Sequence, residues 1–544
     1  MAQSSSTTGG MKPTLGLTGV TVNAMALIAP GAFLWLTFQI QANQSVNGIA
    51  TSMDMWTGLF AALVLAFLTA ICYSQLANLY PRAGTGSSYY FAEAAMLNRT
   101  ETNHYRFARV AKFVVGWTSH LYYWIYPGLM IGVFSTLVQY LGGAFNISAA
   151  SQPAFAWIVA LVTSILVGMV AYRGITGSTM TSIVINVIQI TCLVIVGALA
   201  IAYRFGHTSG ITYAHSGLSS IVLPHSLKNV IFQSTIAILL LVGFESVTAL
   251  GAEAKNPKRN VPRGILLALV IQGLICYLFE YLGSNFFMGS QYGGVLSANG
   301  TYTFKADLLT NHPHLAAGDT IVTGLNASAH SLAPIGDMVQ VIGNWLGGFG
   351  FGFMVIVAVT VGLAIIGTTL ACLNTGVRVT YAMGRDKEVP SFLGMLHGKY
   401  AVPHMAIIVL VGLSALVGIY CATSVGSFSA IDTLTQVTLV SNVGTFLLYG
   451  MTCLITLFAF QRSTPGYSVL MHRVVPIAGV LANVLMLLGV VYLGVISGGS
   501  TTTDVEVALG FVAVWLGLGG VYMAVSSQRQ QRALLHAAHP GQLA

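Results

Sequence analysis

The sequence predicts an all-α polytopic membrane protein with twelve transmembrane helices. Three observations carry that reading. Charged side chains make up 7% of the 544 residues, where a soluble protein carries roughly 25%. Apolar residues make up 55% and the mean hydropathy is +0.78, a composition that needs lipid as its solvent. Apolar runs long enough to cross a hydrocarbon layer of about 30 Å recur from one end of the chain to the other. Together these exclude a soluble globular enzyme. The net charge of +8 does not indicate nucleic acid, because the basic residues stand singly between apolar runs and form no patch.

Taken in order, the runs lie near residues 15–40, 56–79, 113–143, 154–172, 179–203 and 229–252, then 264–286, 340–377, 404–422, 431–460, 474–496 and 505–525. We number them spans 1 to 12. Each is read as a helix, since hydrocarbon offers the backbone no partner outside its own segment. The first fourteen residues are rich in Ser, Thr and Gly and have no apolar core, so span 1 is expected to direct insertion itself. Twelve spans put both termini on one side, which the basic residues can test. Nineteen of the 22 Lys and Arg fall in the tails and in the 2/3, 4/5, 6/7, 8/9 and 10/11 connections, and Arg204, Lys228 and Lys305 lie opposite. By the positive-inside rule the termini are cytoplasmic. The loop 287–338 then forms an external cap. The six cysteines all sit inside apolar runs without metal or disulfide spacing and are read as small buried hydrophobes.

Two spans are interrupted at corresponding places. Span 1 reads Asn23-Ala-Met-Ala-Leu-Ile-Ala29-Pro30-Gly31-Ala32-Phe33, and span 6 reads Leu239-Leu-Leu-Val242-Gly243-Phe244-Glu245-Ser246. Pro30 removes a backbone donor, and Gly31 and Gly243 tolerate unusual dihedrals. Ordinary kinks are one reading of this pair, because Pro and Gly are frequent in membrane helices. The other is a transporter's central site, where half-helix N-termini present N–H groups to a carboxylate and freed carbonyls accept from an ammonium or a cation.

Three stretches carry a more specific signal. They are Gly243-Phe244-Glu245 with Glu253-Ala-Lys255-Asn256-Pro257-Lys258-Arg259-Asn260-Val261-Pro262-Arg263, then Tyr80-Pro81-Arg82-Ala83-Gly84-Thr85-Gly86 with Tyr89-Tyr90, and Tyr381-Ala-Met-Gly-Arg385-Asp386-Lys387-Glu388-Val389-Pro390. In residues and in order they resemble the amino acid, polyamine and organocation transporter superfamily, amino acid permease type. The resemblance implies a LeuT-type fold: two inverted five-helix repeats at 15–203 and 229–460, two further helices at 474–525, cytoplasmic tails at 1–14 and 526–544, and alternating access. It also implies that Ala29, Pro30, Gly31, Ala32, Val242, Gly243 and Phe244 line the substrate, where the chain has Ala29-Pro30-Gly31 in place of the commoner Gly-Ser-Gly. Gly116-Trp117-Thr-Ser-His120-Leu-Tyr122-Tyr123-Trp124 is similar to the span 3 segment that presents a tyrosine to the substrate, and Tyr123 falls at that place. An aromatic residue that some members place before the span 6 break corresponds here to Leu239, which argues against an identical cationic substrate.

Glu245 and Glu280 are the carboxylates clearly inside spans, and each is costly in lipid unless paired, neutral or facing water. Glu245, just past the span 6 break, is expected to carry or sense a proton; a role limited to satisfying freed backbone donors is the alternative. Glu280 is a second proton-coupling candidate, or a partner for neighbouring Tyr or Asn. Some proton-coupled members keep a lysine in span 5 where sodium-coupled relatives hold an ion. Span 5 here has Asn186, Gln189 and Thr191 instead, so a sodium site would fall to Thr368 and Thr369 of span 8, whose hydroxyls more often bond their own helix. His120 and the aromatics around it are read as packing.

The motifs of metalloproteases, serine hydrolases, nucleotide-driven pumps and dinucleotide enzymes are absent. The chain is therefore expected to be no enzyme, to hold no metal or organic cofactor, and to couple to H+ with Na+ left open. Its expected partners are a small amino acid or amine and the plasma membrane lipid. An amino acid importer is the leading expectation and a polyamine or organic-amine importer the alternative. The basic clusters at 255–263 and 378–399 are topology determinants, with Glu253 and Asp386 as candidate latches.

Overall fold

The computed structural model describes residues 15–28, 31, 37, 39–42, 45–46, 49–81, 86–97, 104–173, 178–206, 222–251, 253–278, 292–298, 300–305, 315–400, 402–425, 428–496 and 500–529. Among them, eleven helical stretches are long and apolar enough to cross a bilayer. They are Ser52–Leu79, Phe107–Ala144, Pro153–Arg173, Val184–Tyr203, Leu227–Leu250 and Pro257–Tyr277, followed by Gly350–Arg385, His404–Cys421, Ala430–Ala459, Leu470–Tyr492 and Thr502–Ser526. These are spans 2 to 12. Span 1 contributes Leu17–Ile28, which at 1.5 Å per residue covers about 18 Å. Beyond Ala29 and Pro30, which lie outside the described residues, Gly31, Thr37 and residues 39–42 are again helical.

Span 8 departs from its expected range of 340–377. The apolar run had fused two helices, Pro334–Trp345 and Gly350–Arg385. Gly347 and Gly348 separate them at φ +116 and +82, values that L side chains rarely adopt. Span 3 is likewise divided, into His104–Tyr123 and Tyr126–Ala144. Pro127 in its second half has no N–H for the Tyr123 carbonyl. Trp117 and Trp515 fasten span 3 to span 12 reciprocally: each indole N–H donates to the other's carbonyl, at 2.9 and 3.1 Å, with the rings stacked 4.8 Å apart.

The start of span 1 is stitched to the loop after span 6. Leu15 N–H donates to the Glu253 carbonyl at 2.9 Å, and Lys255 N–H donates back to the Leu15 carbonyl at 2.7 Å. On the same side, where the basic loops gather, Lys112 is fully buried and bonds Asp386 at 3.0 Å and Glu93 at 3.2 Å. Arg109 pairs with Glu388 at 3.0 Å and Arg378 with Glu253 at 2.6 Å. Tyr89 donates to Asp386, and Arg385 to the Tyr90 hydroxyl. Both candidate latches, Glu253 and Asp386, are thus held by cations from other segments.

The cap has structure of its own. After the small hairpin β1–β2 of Ser45–Val46 and Ile49–Ala50, the chain forms β3 (Gly293–Leu296), β4 (Tyr302–Phe304) and β5 (Thr320–Thr323), an antiparallel sheet in the order β4-β3-β5. Asp337, on the helix that follows, is buried under this sheet. It accepts from Tyr140 of span 3 at 2.8 Å, from Tyr292 at 3.5 Å and from Ser331. Burial outweighs these donors and pushes its carboxyl up from 3.8 to about 7. A carboxyl raised on folding stabilises the fold at low pH, and that contribution is lost as the pH rises through its folded value. The melting temperature is therefore expected to fall from about pH 4 to about pH 7 and to level off above that, and Asp337→Asn to flatten the slope. An unchanged slope in the variant would rule this out.

Candidate functional site

The site grows from the span 6 break. This span enters as an α-helix over Leu227–Ala237 and tightens to a 3-10 turn at Ile238–Leu240. It opens at 241–243 and resumes as a 3-10 helix over Phe244–Leu250. Gly243 sits at φ +122, and a Cβ there would lie 2.8 Å from that of Leu27. Glycine therefore lets the opening of span 6 touch the span 1 helix at Leu27. Gly243→Ala is expected to cost about 1–3 kcal/mol in strain and to abolish uptake by parting them. A variant that melts and transports like the parent would show that the approach is dispensable.

At the opening, Glu245 is fully buried and its partners are all neutral. Tyr449 of span 10 donates to Oε2 at 2.7 Å, the Gly243 N–H to the same oxygen at 3.0 Å, and Tyr123 to Oε1 at 3.3 Å. No basic side chain pairs with it among the described residues. The walls are aromatic: Phe244 packs against Tyr73 and Tyr449 with ring centres 6.1 and 5.3 Å apart, and Tyr122 tilts against Tyr123 at 4.7 Å. The Tyr122 hydroxyl and Ser246 Oγ, both buried, have no partner among the described residues. A buried polar atom without a partner costs about 1–3 kcal/mol, and a polar solute seated here would relieve it.

Side chains from spans 7 and 8 donate to three carbonyls of span 1. Gln272 donates to the Met25 carbonyl at 3.3 Å, Thr368 to that of Ala26 at 2.9 Å, and Tyr277 to that of Ile28. Gln272 and Tyr277 project from a π-helical stretch, Leu269–Tyr277, a wider winding frequent at functional sites. The Gln272 amide also donates to Asn186 of span 5 at 2.8 Å. Thr369 bonds back to Ile365 of its own helix at 2.7 Å.

The structure thus brings Tyr123, Val242, Gly243, Phe244 and Glu245 together. Thr368 faces span 1, whereas the Thr369 hydroxyl serves its own helix. Gly31 is helical and buried, while Ala29, Pro30, Ala32 and Glu280 lie outside the described residues. His120 stacks on Trp124 at 4.3 Å and meets Thr380 Oγ1 at 3.3 Å, a packed position. Sequence reading missed Tyr449, Tyr73 and Gln272. Of the three, Gln272 carried a signal, as an amide inside an apolar run.

A buried acid at a broken span, in a bundle of lipid-crossing helices, is the layout of a membrane carrier for small solutes. The chain belongs to the amino acid permease family, whose model matches residues 47–534. It is a multi-pass permease of LeuT-like fold and not an enzyme. The low-affinity putrescine importer PlaP of Escherichia coli is 26% identical over 436 residues, 79% of this chain and 80% of the relative. The methylthioribose transporter of Bacillus subtilis is 22% identical over 64% of this chain and 65% of its own length. The vacuolar cationic amino acid transporter 4 of Arabidopsis thaliana is 27% identical over 41% and 35%.

Proposed function

We propose that this permease is a proton-coupled importer of a small amine-bearing solute across the plasma membrane, with both termini cytoplasmic and two five-helix repeats, 15–203 and 229–460, alternating its access. One observation carries the substrate class: the Gly243 N–H, the donor a substrate carboxylate would use at the span 6 break, is bonded to the protein's own Glu245. The chain supplies the anion there, so the solute's complementary group is an ammonium, steadied by Glu245 and the faces of Tyr123, Tyr449 and Phe244. This favours an organic amine over an amino acid. The identity to a putrescine importer points the same way, and the family's description keeps the amino acid as the second reading.

The donors at span 1 support a proton over sodium as the coupling ion. The carbonyls of Met25, Ala26 and Ile28 already accept N–H or O–H groups, which leaves Thr368 and Thr369 poor as a cage for a hard cation. Proteoliposome uptake of labelled putrescine and neutral amino acids, with separate proton and sodium gradients, tests both points. The expected result is putrescine-competed uptake driven by an inward proton gradient at zero sodium. Uptake competed by neutral amino acids alone, or driven by sodium alone, would overturn the respective half.

A further inference from the structure

A groove of about 400 Å³ lies between spans 3, 9, 10 and 12, away from the central site. Val417, Val437, Val440 and Ala508 form its floor, with Leu416 and Phe511 at its mouth. Leu416 is 66% exposed and Phe511 45%, and both lie within lipid-crossing stretches, so the mouth opens sideways into hydrocarbon. The volume equals the share of roughly a dozen waters, yet the floor offers water no hydrogen bond, and such a space takes an apolar occupant.

One end is polar. Tyr420 donates to Gln436 Oε1 at 2.6 Å, and Gln436 donates to Asp504 Oδ1 at 2.8 Å. Asp504 is buried, Asp432 stands in the first turn of span 10, and Glu506 follows Asp504 two residues along span 12. No Lys or Arg occurs between Lys399 and Arg462 or between Arg473 and Arg529, so the helices that build this end carry carboxylates and no cation. An apolar trough leading to uncompensated acids fits a chain with an ammonium at its head. We propose that the groove binds one membrane lipid with a primary amine in its headgroup, its acyl chain on the valine floor and its ammonium beside Asp504. By the basic-residue count this is the outer leaflet.

The full-length protein, purified and stripped of lipid, is to be given an equimolar mixture of phosphatidylethanolamine, phosphatidylcholine and phosphatidylglycerol with identical chains, and retained lipid read by native mass spectrometry. Phosphatidylethanolamine is expected to exceed each of the others about tenfold, the gain of one charge-assisted hydrogen bond. Asp504→Asn should erase that preference while a lipid still binds, and Ala508→Phe, which fills the floor, should remove the bound lipid. Leu416→Trp narrows the mouth from its lipid-exposed side without touching the packed interior, and is expected to reduce retention even if Ala508→Phe does not fold. Equal retention of the three headgroups by the parent protein, or undiminished retention in Leu416→Trp, would overturn the proposal.

Discussion

Glu245→Gln is expected to abolish accumulation driven by a pH gradient while leaving solute counterflow measurable. The amide keeps the size of the acid and an oxygen for Tyr449 and the Gly243 N–H, but it has no proton to gain or lose. One coupled proton sustains about tenfold accumulation per pH unit, the equivalent of roughly 1.4 kcal/mol. The variant should therefore fall to about onefold, whatever gradient is applied. Glu245→Asp should recover part of the coupling, with the shorter acid further from Tyr449. Proteoliposomes with an acidic exterior make the measurement. Glu245→Gln vesicles that still concentrate solute in step with the gradient would remove the proton from this residue. Counterflow in Glu245→Gln should need more solute than in the parent, because the amide holds the ammonium less tightly than the carboxylate; an unchanged solute affinity would remove the ammonium from this residue.

The second large effect is expected at Lys112, which is fully buried between Glu93 and Asp386. Lys112→Met removes the cation that compensates two acids withdrawn from water, and breaking such a cluster from one side costs about 3–5 kcal/mol. The melting temperature should fall sharply, and the side where the basic loops gather should open more readily. Adding Glu93→Gln and Asp386→Asn to Lys112→Met should restore much of the loss, because a neutral, bonded cluster carries no stranded charge. A single variant as stable as the parent would show that these charges are solvated and not holding the segments together.

The spans were legible because crossing lipid imposes one demand, length with apolarity, on every segment. Glu245 and Tyr123 were legible for a related reason: an acid beside a glycine break and a tyrosine in a matching motif are anomalies in hydrocarbon. The boundary of span 8 was misread because Pro334–Trp345 is nearly as apolar as the helix it precedes, and Gly347-Gly348 passed as two more membrane glycines. Tyr449 left no trace, since Phe-Leu-Leu-Tyr-Gly in mid-span looks like packing and becomes a partner of Glu245 only through the placement of span 10. Lys112 was read with the topology charges. Its burial depends on Glu93 and Asp386, 19 and 274 residues away, and pairing at such separations is written in the tertiary fold and not in any local window.

The backbone stitch at Leu15 reaches further than its two hydrogen bonds. The loop it grips leads directly out of span 6, while Leu15 itself leads into span 1, and Gly243 presses the same two spans together at mid-membrane. Fastened at one rim and wedged at the waist, the pair is expected to swing as a single leaf, so that the doorway on that side opens in one stroke.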